Sequence, residues 1–500
     1  MEAETILIGL IFVSGFYVAW NIGANDVANA MGTSVGSGAL TLRRAVILAA
    51  IFEFAGAYIV GSNVSETVRK GIFDPMEITE MYPPDQAPFI LACGMIAALL
   101  AAGTWLLVAT YMSWPVSTTH SIVGAVVGFG VVALGFDGVL WNKVGLISAG
   151  WVISPLISAV VAYLVFGILL KTVFHKRDPV AAARQAAPKL VFILMFVMTG
   201  LTSYKGLKPL WKKWEMNPED PMFTLAVVAV AVVLGVLGFF VTKFSLSRSL
   251  IAPSNTETGK NPVLDADVSR SLAKTIKHLQ RVRNNSTDEI QERAKQLLDD
   301  AESLQDQALE NITTNTDSAE LRQVEKIFAV LQIFTACLVA FAHGSNDVAN
   351  AIGPLAAAYQ AVHENIISTK SETPSWALLL GGVGIVIGLA TWGWRVIKTV
   401  GEKITELTPS RGFSAEFAAA ITILGASVLP IGLPISTTHT LVGAVLGVGL
   451  ARGINALNLK TMRNIVAGWA ITIPAGAILC MIFYFILKLI FVDSGWAVGG

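Results

Sequence analysis

Apolar residues come in long runs along this chain, and short polar stretches separate them. A run of about 20 apolar residues is long enough to cross a bilayer as a helix, so the pattern predicts an all-α polytopic membrane protein with about 12 spans. We expect these spans at roughly 5–22, 41–61, 88–113, 115–136, 142–171, 188–203, 221–243, 326–343, 374–398, 412–431, 434–452 and 461–491.

Three polar motifs interrupt the apolar runs, and each occurs twice in the same order. Gly-Ala-Asn-Asp-Val-Ala-Asn-Ala at 23–30 returns with one change at 344–351, Pro-Val-Ser-Thr-Thr-His at 115–120 returns with one change at 434–439, and Ala-Gly-Trp at 149–151 returns at 467–469. The offsets between the copies are 321, 319 and 318 residues. A nearly constant offset over three motifs indicates a duplicated unit.

Basic residues in short loops predict how the two copies are oriented, because such loops favour the cytoplasm. Arg43 and Arg44 follow the first span, and five Lys or Arg residues lie at 171–189, around the loop after the fifth. If both loops are cytoplasmic, an even number of spans separates them, which holds if 115–136 crosses the membrane and fails if it is a re-entrant hairpin. Counting 115–136 as a crossing places the N-terminus outside and makes the copies inverted, with the Gly-flanked motifs breaking their helices. We expect a first membrane repeat at 1–175, connecting membrane segments at 176–243 and a second membrane repeat at 326–500.

Residues 244–325 differ from the rest because they hold 24 of the 70 charged residues. Within them, apolar residues recur at helical spacing on both sides of Asn284-Asn285-Ser286-Thr287. This pattern predicts a soluble two-helix hairpin on the cytoplasmic side, with Ser286 and Glu289 resembling a capping box. We interpret it as a tether between the repeats; a regulatory or oligomer contact is the alternative.

Composition supports a membrane protein, since 54% of the residues are hydrophobic and only 14% are charged. The formal net charge is zero, so nothing indicates a nucleic-acid partner. No phosphate-binding Gly-x-x-x-x-Gly-Lys loop and no Ser-His-Asp set occurs, so we expect neither an ATP-driven pump nor an enzyme, and no organic cofactor. The three cysteines lie in apolar stretches and predict no disulfide.

The Asn-Asp-x-x-Asn motif is a candidate cation site. Its two copies are Asn25, Asp26, Asn29 and Asn346, Asp347, Asn350. On a helix, residues three or four apart share a face, so the carboxylate and the amides come together. Carboxylate, amide and free carbonyl oxygens together suit a small hard cation such as sodium. A hydrogen-bonded network that locks two helices is the alternative.

The Pro-x-Ser-Thr-Thr-His motif is a candidate anion site. Pro and Ser or Thr favour a helix start, and each copy precedes a Gly-rich apolar helix. Backbone N–H groups, hydroxyls and the positive end of a helix bind oxyanions without Lys or Arg. The candidate phosphate ligands are Ser117, Thr118, Thr119, Ser436, Thr437 and Thr438. Ordinary capping and helix packing are the alternative, and His120 and His439 fit a structural role as well as a functional one.

Two glutamates lie inside predicted spans, where a carboxyl group needs a partner or a proton. Glu53 is in the second span, and Glu416 is in the span at 412–431. Each is a candidate for ion coupling, and the alternative is that they neutralise a basic residue such as Arg395.

At these residues the chain resembles the PiT family of inorganic phosphate transporters, and most closely its sodium-coupled branch. The resemblance extends over both membrane halves, at 23–38, 41–53, 64–71, 331–337, 342–355, 395–401 and 432–443. It implies inorganic phosphate as substrate, inverted repeats of broken helices and a homodimer. It further implies that the Asn-Asp positions line the cation site and the Ser-Thr-Thr positions the phosphate site, and it singles out Glu53 and Glu416. The proton-coupled bacterial branch has a histidine before the first Asp and a lysine-containing motif in the second repeat. This chain has Asn25 and Asp347-Val348-Ala349-Asn350 at these places, and so is less similar to that branch.

The sequence therefore predicts a sodium-coupled symporter of inorganic phosphate, multi-pass in the plasma (inner) membrane. Within transporters, proton-coupled symport of phosphate or a metal–phosphate complex is the alternative. A non-transporting phosphate sensor or receptor on the same fold is the alternative from another class.

Overall fold

A computed structural model describes residues 2–60, 72–201, 203, 214, 220–248, 272, 275–284, 288–315, 319–367, 374–402, 407–428, 435–453 and 457–495. Within these ranges the regular elements are all helical. They are α1 Glu2–Asn25, α2 Ala28–Gly36, α3 Leu42–Val60, α4 Met76–Met81, α5 Ala87–Tyr111, α6 Thr118–Leu134, α7 Trp141–Leu169, α8 Pro179–Leu201, α9 Pro221–Arg248, α10 Asp288–Asn315, α11 Ala319–Tyr359, α12 Ser375–Trp392, α13 Trp394–Glu402, α14 Pro409–Val428, α15 Thr437–Arg452 and α16 Leu459–Lys488. Single π-helical turns extend α7, α11 and α16, at Leu170–Phe174, Gln360–Glu364 and Leu489–Asp493.

The predicted spans correspond to helices, but their number is not fixed by the structure. Eight helical stretches in the described part of the chain are long and apolar enough to cross a membrane. The helices α6, α14 and α15 are shorter or more polar, and α3 carries Arg43, Arg44 and Glu53. Arg43 and Arg44 lie in the first turn of α3 rather than in a loop, which corrects the sequence expectation.

The chain divides into two compact units. The larger comprises Met1–Phe166, Phe192–Leu237 and Ala329–Gly500, and so contains all six copies of the repeated motifs. The smaller comprises Gly167–Val191 and Gly238–Phe328. In the smaller unit, Ile276 and Leu279 of the helical stretch 275–284 pack against Leu298 and Ala301 of α10. The predicted cap at Ser286 and the resembling stretch 64–71 lie outside the described residues.

The two copies of the Asn-Asp motif differ in backbone. The helix is interrupted at Asp26-Val27 in the first copy, between α1 and α2, whereas α11 continues unbroken through the second. We expected Gly23 and Gly344 to free backbone carbonyls, but both permit close helix contact instead. A Cβ on Gly344 would lie 2.2 Å from the carbonyl oxygen of Glu53, and one on Gly23 would lie 1.9 Å from that of Ile385.

Helices of one repeat pack on helices of the other. α1 of the first repeat meets α12 of the second through Gly23, and α11 of the second meets α3 of the first through Gly344. In the same way α6 packs on α16, and α15 packs on α7. This exchange brings the two Asn-Asp motifs and the two Ser-Thr-Thr motifs together in the interior of the larger unit.

Candidate functional site

Asp26 is at the centre of the candidate site and is buried. It lies in the interruption between α1 and α2, where its backbone is no longer part of a regular helix. Its Oδ2 accepts a hydrogen bond from the Thr118 hydroxyl (2.7 Å), and its Oδ1 accepts one from the Thr438 hydroxyl (2.5 Å). The Asn29 amide also donates to Oδ1. Hydroxyls from both repeats therefore converge on one carboxylate.

Asp347 has a parallel set of partners on α11. The Thr437 hydroxyl lies 3.1 Å from its Oδ2, and the amides of Asn346 and Asn350 lie 3.3 and 3.4 Å from its Oδ1. Asn350 also donates to the Thr119 hydroxyl of the first repeat, at 3.3 Å. The hydroxyl and amide hydrogen bonds to Asp347 are longer than those to Asp26.

His343, one turn before Asp347 on α11, joins the two aspartates to Glu53. Its Nδ1 is hydrogen-bonded to Glu53 Oε2 (2.9 Å). Its Nε2 lies 2.6 Å from Asp347 Oδ2 and 3.9 Å from Asp26 Oδ2. All four side chains are buried, so one imidazole is the shared neighbour of three carboxyl groups. Asp26, His343 and Asp347 could together hold a metal ion.

The pseudo-equivalent position of the first repeat has no such pair. An offset of 321 residues relates His343 to Ile22. Glu53 faces Gly344 as Ile385 faces Gly23, so Ile385 is the counterpart of Glu53. The second-repeat motif thus has a polar His–Glu pair where the first has two isoleucines.

Ser117 and Ser436 are the N-caps of α6 and α15. Each serine Oγ accepts a hydrogen bond from the backbone N–H three residues later, as the helix-start prediction required. In the described part of the chain, neither serine hydroxyl donates a hydrogen bond. Asn25 differs from its expected role, because its amide donates to Thr110 (3.0 Å) and to the Trp114 carbonyl (3.1 Å), and its Oδ1 accepts from Val116 N–H. It fixes the loop before α6.

Glu416 on α14 is held by neutral groups. Hydroxyls of Thr33 (2.5 Å) and Ser34 (2.8 Å) and the amide of Gln332 (3.2 Å) donate to Oε1, and the Thr335 hydroxyl donates to Oε2. The idea that Glu53 or Glu416 neutralises Arg395 is wrong. The Arg395 guanidinium instead lies over the aromatic rings of Tyr111, Trp392 and Trp394. Cation–π attraction to these rings stabilises its charge.

His120 and His439 meet each other between two tryptophans. Their ring centroids are 4.3 Å apart, and each ring also lies against the tryptophan of the Ala-Gly-Trp motif of its own repeat, tilted in the first pair and stacked in the second. The centroid distance is 3.7 Å from His120 to Trp151 and 3.6 Å from His439 to Trp469. This column of four rings accounts for the third repeated motif.

Comparison with known proteins decides the family. Residues 22–480 match the model described as the phosphate transporter family. The chain belongs to this family. A putative phosphate permease of Chlamydia pneumoniae is 43% identical over 97% of this chain and 99% of its own length, and one of Haemophilus influenzae is 39% identical over 97% of both. Inorganic phosphate transporter 2-1, chloroplastic, of Arabidopsis thaliana is 43% identical over 94% of this chain and 70% of its own.

A solved structure supports the fold of this phosphate transporter. The protein titled "The sodium-dependent phosphate transporter" matches with a TM-score of 0.72 and 35% identity, over 97% of this chain and 100% of that one. The predicted all-helical transporter fold and family are therefore confirmed. The protein is a multi-pass membrane transporter for phosphate rather than an enzyme.

Sequence reasoning missed one residue of the transporter's centre, His343. A signal was present, because His343 directly precedes the Gly-Ser-Asn-Asp motif, and a spacing of four places it on the same helix face as Asp347. Comparison of the two copies gives no signal at this position, because Ile22 occupies the matching place in the first copy.

Proposed function

We propose that this transporter is a symporter that couples inward movement of inorganic phosphate to sodium. The observation that carries the proposal is the oxygen-rich environment of the two aspartates. Carboxylate, amide and hydroxyl oxygens from both repeats meet around Asp26 and Asp347. Hard cations prefer oxygen ligands.

The threonine hydroxyls support a cation site next to an anion site. A hydroxyl that donates its hydrogen to a carboxylate keeps its lone pairs, which a sodium ion can use. Thr118 is in this position, and Thr438 keeps one lone pair because the Asn29 amide donates to its oxygen (2.9 Å). The Asn29 Oδ1 is buried and has no hydrogen-bond partner among the described residues. These oxygens, with the corresponding set around Asp347, are the proposed sodium ligands.

The same threonines stand in the first turns of α6 and α15. The helix starts supply backbone N–H groups and the positive ends of two helix dipoles, and Ser117 and Ser436 supply further hydroxyl hydrogens. We assign phosphate to this place. The threonines then lie between anion and cation, so binding of either favours binding of the other through charge.

Coupling to a cation has an energetic reason. Moving one negative charge into a cell against 100 mV costs about 2.3 kcal/mol, and cations that move with phosphate offset this cost. We further propose that the two repeats are inverted in the membrane, that the protein resides in the plasma (inner) membrane, and that it is a homodimer.

The test is phosphate uptake into proteoliposomes at fixed pH and membrane potential, with sodium replaced stepwise by choline. We expect uptake to rise with sodium, and Asp26→Asn and Asp347→Asn each to abolish the sodium-driven part. Ser117→Ala and Ser436→Ala should raise the phosphate concentration for half-maximal uptake about tenfold or more, because a buried acceptor loses a donor. Uptake that ignores sodium refutes the coupling, and a folded protein that never accumulates phosphate supports the sensor alternative.

Proton-coupled symport, of phosphate or of a metal–phosphate complex, is the second candidate. His343 favours it, since an imidazole between Glu53 and Asp347 offers groups that exchange protons. In the same vesicles, uptake that collapses when the proton gradient is dissipated, with sodium constant, would select this mechanism.

A further inference from the structure

The contact between α15 and α7 has a regular register. His439, Gly443 and Gly447 follow each other at intervals of four on α15, and Trp151, Pro155 and Ala159 do so on α7. A Cβ on Gly443 would lie 2.3 Å from the Pro155 carbonyl oxygen, and one on Gly447 would lie 2.0 Å from that of Ala159. The two helices therefore touch backbone to backbone, and His439 stands opposite Trp151.

Pro155 changes the hydrogen bonding at this contact. In an α-helix the carbonyl of residue 151 accepts the N–H of residue 155, but proline has none. The Trp151 carbonyl therefore lacks its regular donor within α7, and His439 Nδ1 lies 3.2 Å from it. Because a carbonyl only accepts, Nδ1 carries the hydrogen in this bond.

The matching contact, between α6 and α16, lacks the bond. His120 stands opposite Trp469 in the same register, but residue 473, four positions after Trp469, is isoleucine and keeps its N–H. The proline of α16 comes one residue later, at 474. Both ring nitrogens of His120 are buried, and neither has a hydrogen-bond partner among the residues that the structure describes. The proline is four residues after the tryptophan in α7 but five residues after it in α16. This difference of one residue gives His439 a hydrogen bond to a free carbonyl and leaves His120 without one.

His439 directly follows the two threonines of α15 that contact the aspartates. Its backbone N–H is capped by Ser436, and the two preceding residues donate hydroxyl hydrogens to the aspartates. Thr438 donates to Asp26 and Thr437 to Asp347. The bond to Trp151 therefore attaches the first turn of α15 to α7 of the other repeat, and so fixes the positions of both hydroxyls.

We propose that His439 is a positioning residue for the cation site, and that it acts through the carbonyl that Pro155 leaves free. His120 contributes its ring to the column but no hydrogen bond. This inference rests on the proposed function, because the ion that the positioned hydroxyls serve is sodium.

The experiment measures the sodium concentration for half-maximal phosphate uptake in two single variants, their double variant and two control variants. His439→Phe keeps a ring and removes the N–H, and Pro155→Ala returns an N–H that competes for the Trp151 carbonyl. Each should raise the half-saturating sodium concentration about twofold to tenfold, which is the net effect of one hydrogen bond. Since both substitutions remove the same bond, the half-saturating sodium concentration of the double variant should not exceed the higher of the two single-variant values. Maximal rate at saturating sodium should change little.

His120→Phe and Pro474→Ala are the matched controls, and we expect both to keep the wild-type value. A second readout is the rise in melting temperature that sodium causes in purified protein, which should weaken only for His439→Phe and Pro155→Ala. Equal effects of the two histidine variants, or effects of His439→Phe and Pro155→Ala that multiply, would overturn the proposal. Wild-type uptake that ignores sodium refutes the proposed coupling instead, and the same comparison is then made on phosphate half-saturation.

Discussion

Single side chains in the transporter's interior are arranged unequally around two similar motifs. Asp26 lies in a helix interruption and accepts short hydrogen bonds from Thr118 and Thr438, whereas Asp347 lies in a continuous helix beside His343. A buried carboxylate needs partners, and the two aspartates find different ones. The two candidate cation positions therefore differ in chemistry despite nearly identical sequences.

Removing the His343 side chain should lower the stability of the transporter. His343→Ala leaves Glu53, Asp26 and Asp347 close together without the imidazole between them. Breaking a buried pair by removing one partner destabilises by about 3–5 kcal/mol, so we expect a clear fall in melting temperature. Adding Glu53→Gln should recover part of it, because one carboxyl group is gone. A double variant less stable than His343→Ala would contradict this account.

Thr438 gives a more selective test of the cation site. Thr438→Val keeps the shape of the side chain but removes the hydroxyl that donates to Asp26. Asp26 Oδ1 then keeps only the Asn29 donor, and a hydrogen bond to a carboxylate contributes about 1.5–3 kcal/mol, so half-maximal uptake should need about tenfold more sodium or higher. Thr422→Val is the control, since the Thr422 hydroxyl is also buried but donates to the Ala418 carbonyl of its own helix. Equal changes in both variants would point to general loosening.

Pairs of helices meet through glycines that have no room for a side chain. Gly344 of α11 faces the backbone of Glu53 on α3, the residue that also binds His343. The distance between these two helices therefore sets the distance between the imidazole and the carboxyl group. Packing and site chemistry are linked at this contact.

Gly344→Ala should separate α11 from α3. The added Cβ would meet the Glu53 carbonyl oxygen at 2.2 Å, which backbone atoms cannot tolerate without a shift. Overpacking of this kind costs about 1–3 kcal/mol, and we expect a lower melting temperature together with weaker uptake. Gly9→Ala on α1 is the control, because nothing lies within 4 Å of its added Cβ. Unchanged uptake and stability in Gly344→Ala would show that the helices can separate freely.

How far the sequence predicts the site depends on whether a feature repeats. Asp26, Asp347 and the hydroxyls of Thr118 and Thr438 were found because their motifs occur twice. His343 was missed because it occurs once. The backbone break at Asp26 but not at Asp347 could not be predicted either, since both motifs carry glycines at the same positions.

For the molecule as a whole, the charged segment at 244–325 stands apart from the site residues along the chain. Replacing 255–315 with a short Gly/Ser linker should leave phosphate uptake measurable, because none of the candidate ligands lies there and such a linker is flexible. Uptake by purified variant in proteoliposomes is the measurement, and a scrambled sequence of equal length is the control. Complete loss of uptake in a folded, inserted variant would show that the segment does more than tether.

The packing of each repeat on helices of the other has a consequence for the gene. A coding sequence for one repeat alone would produce a chain whose apolar faces at Gly23 or Gly344 have no counterpart, unless two such chains paired by exchanging helices. Fusing two copies end to end removes the need to find a partner after each round of synthesis. It also lets the two copies differ in sequence, as they do at the matching positions of His343 and Ile22. Two identical chains made from one coding sequence could not differ in this way.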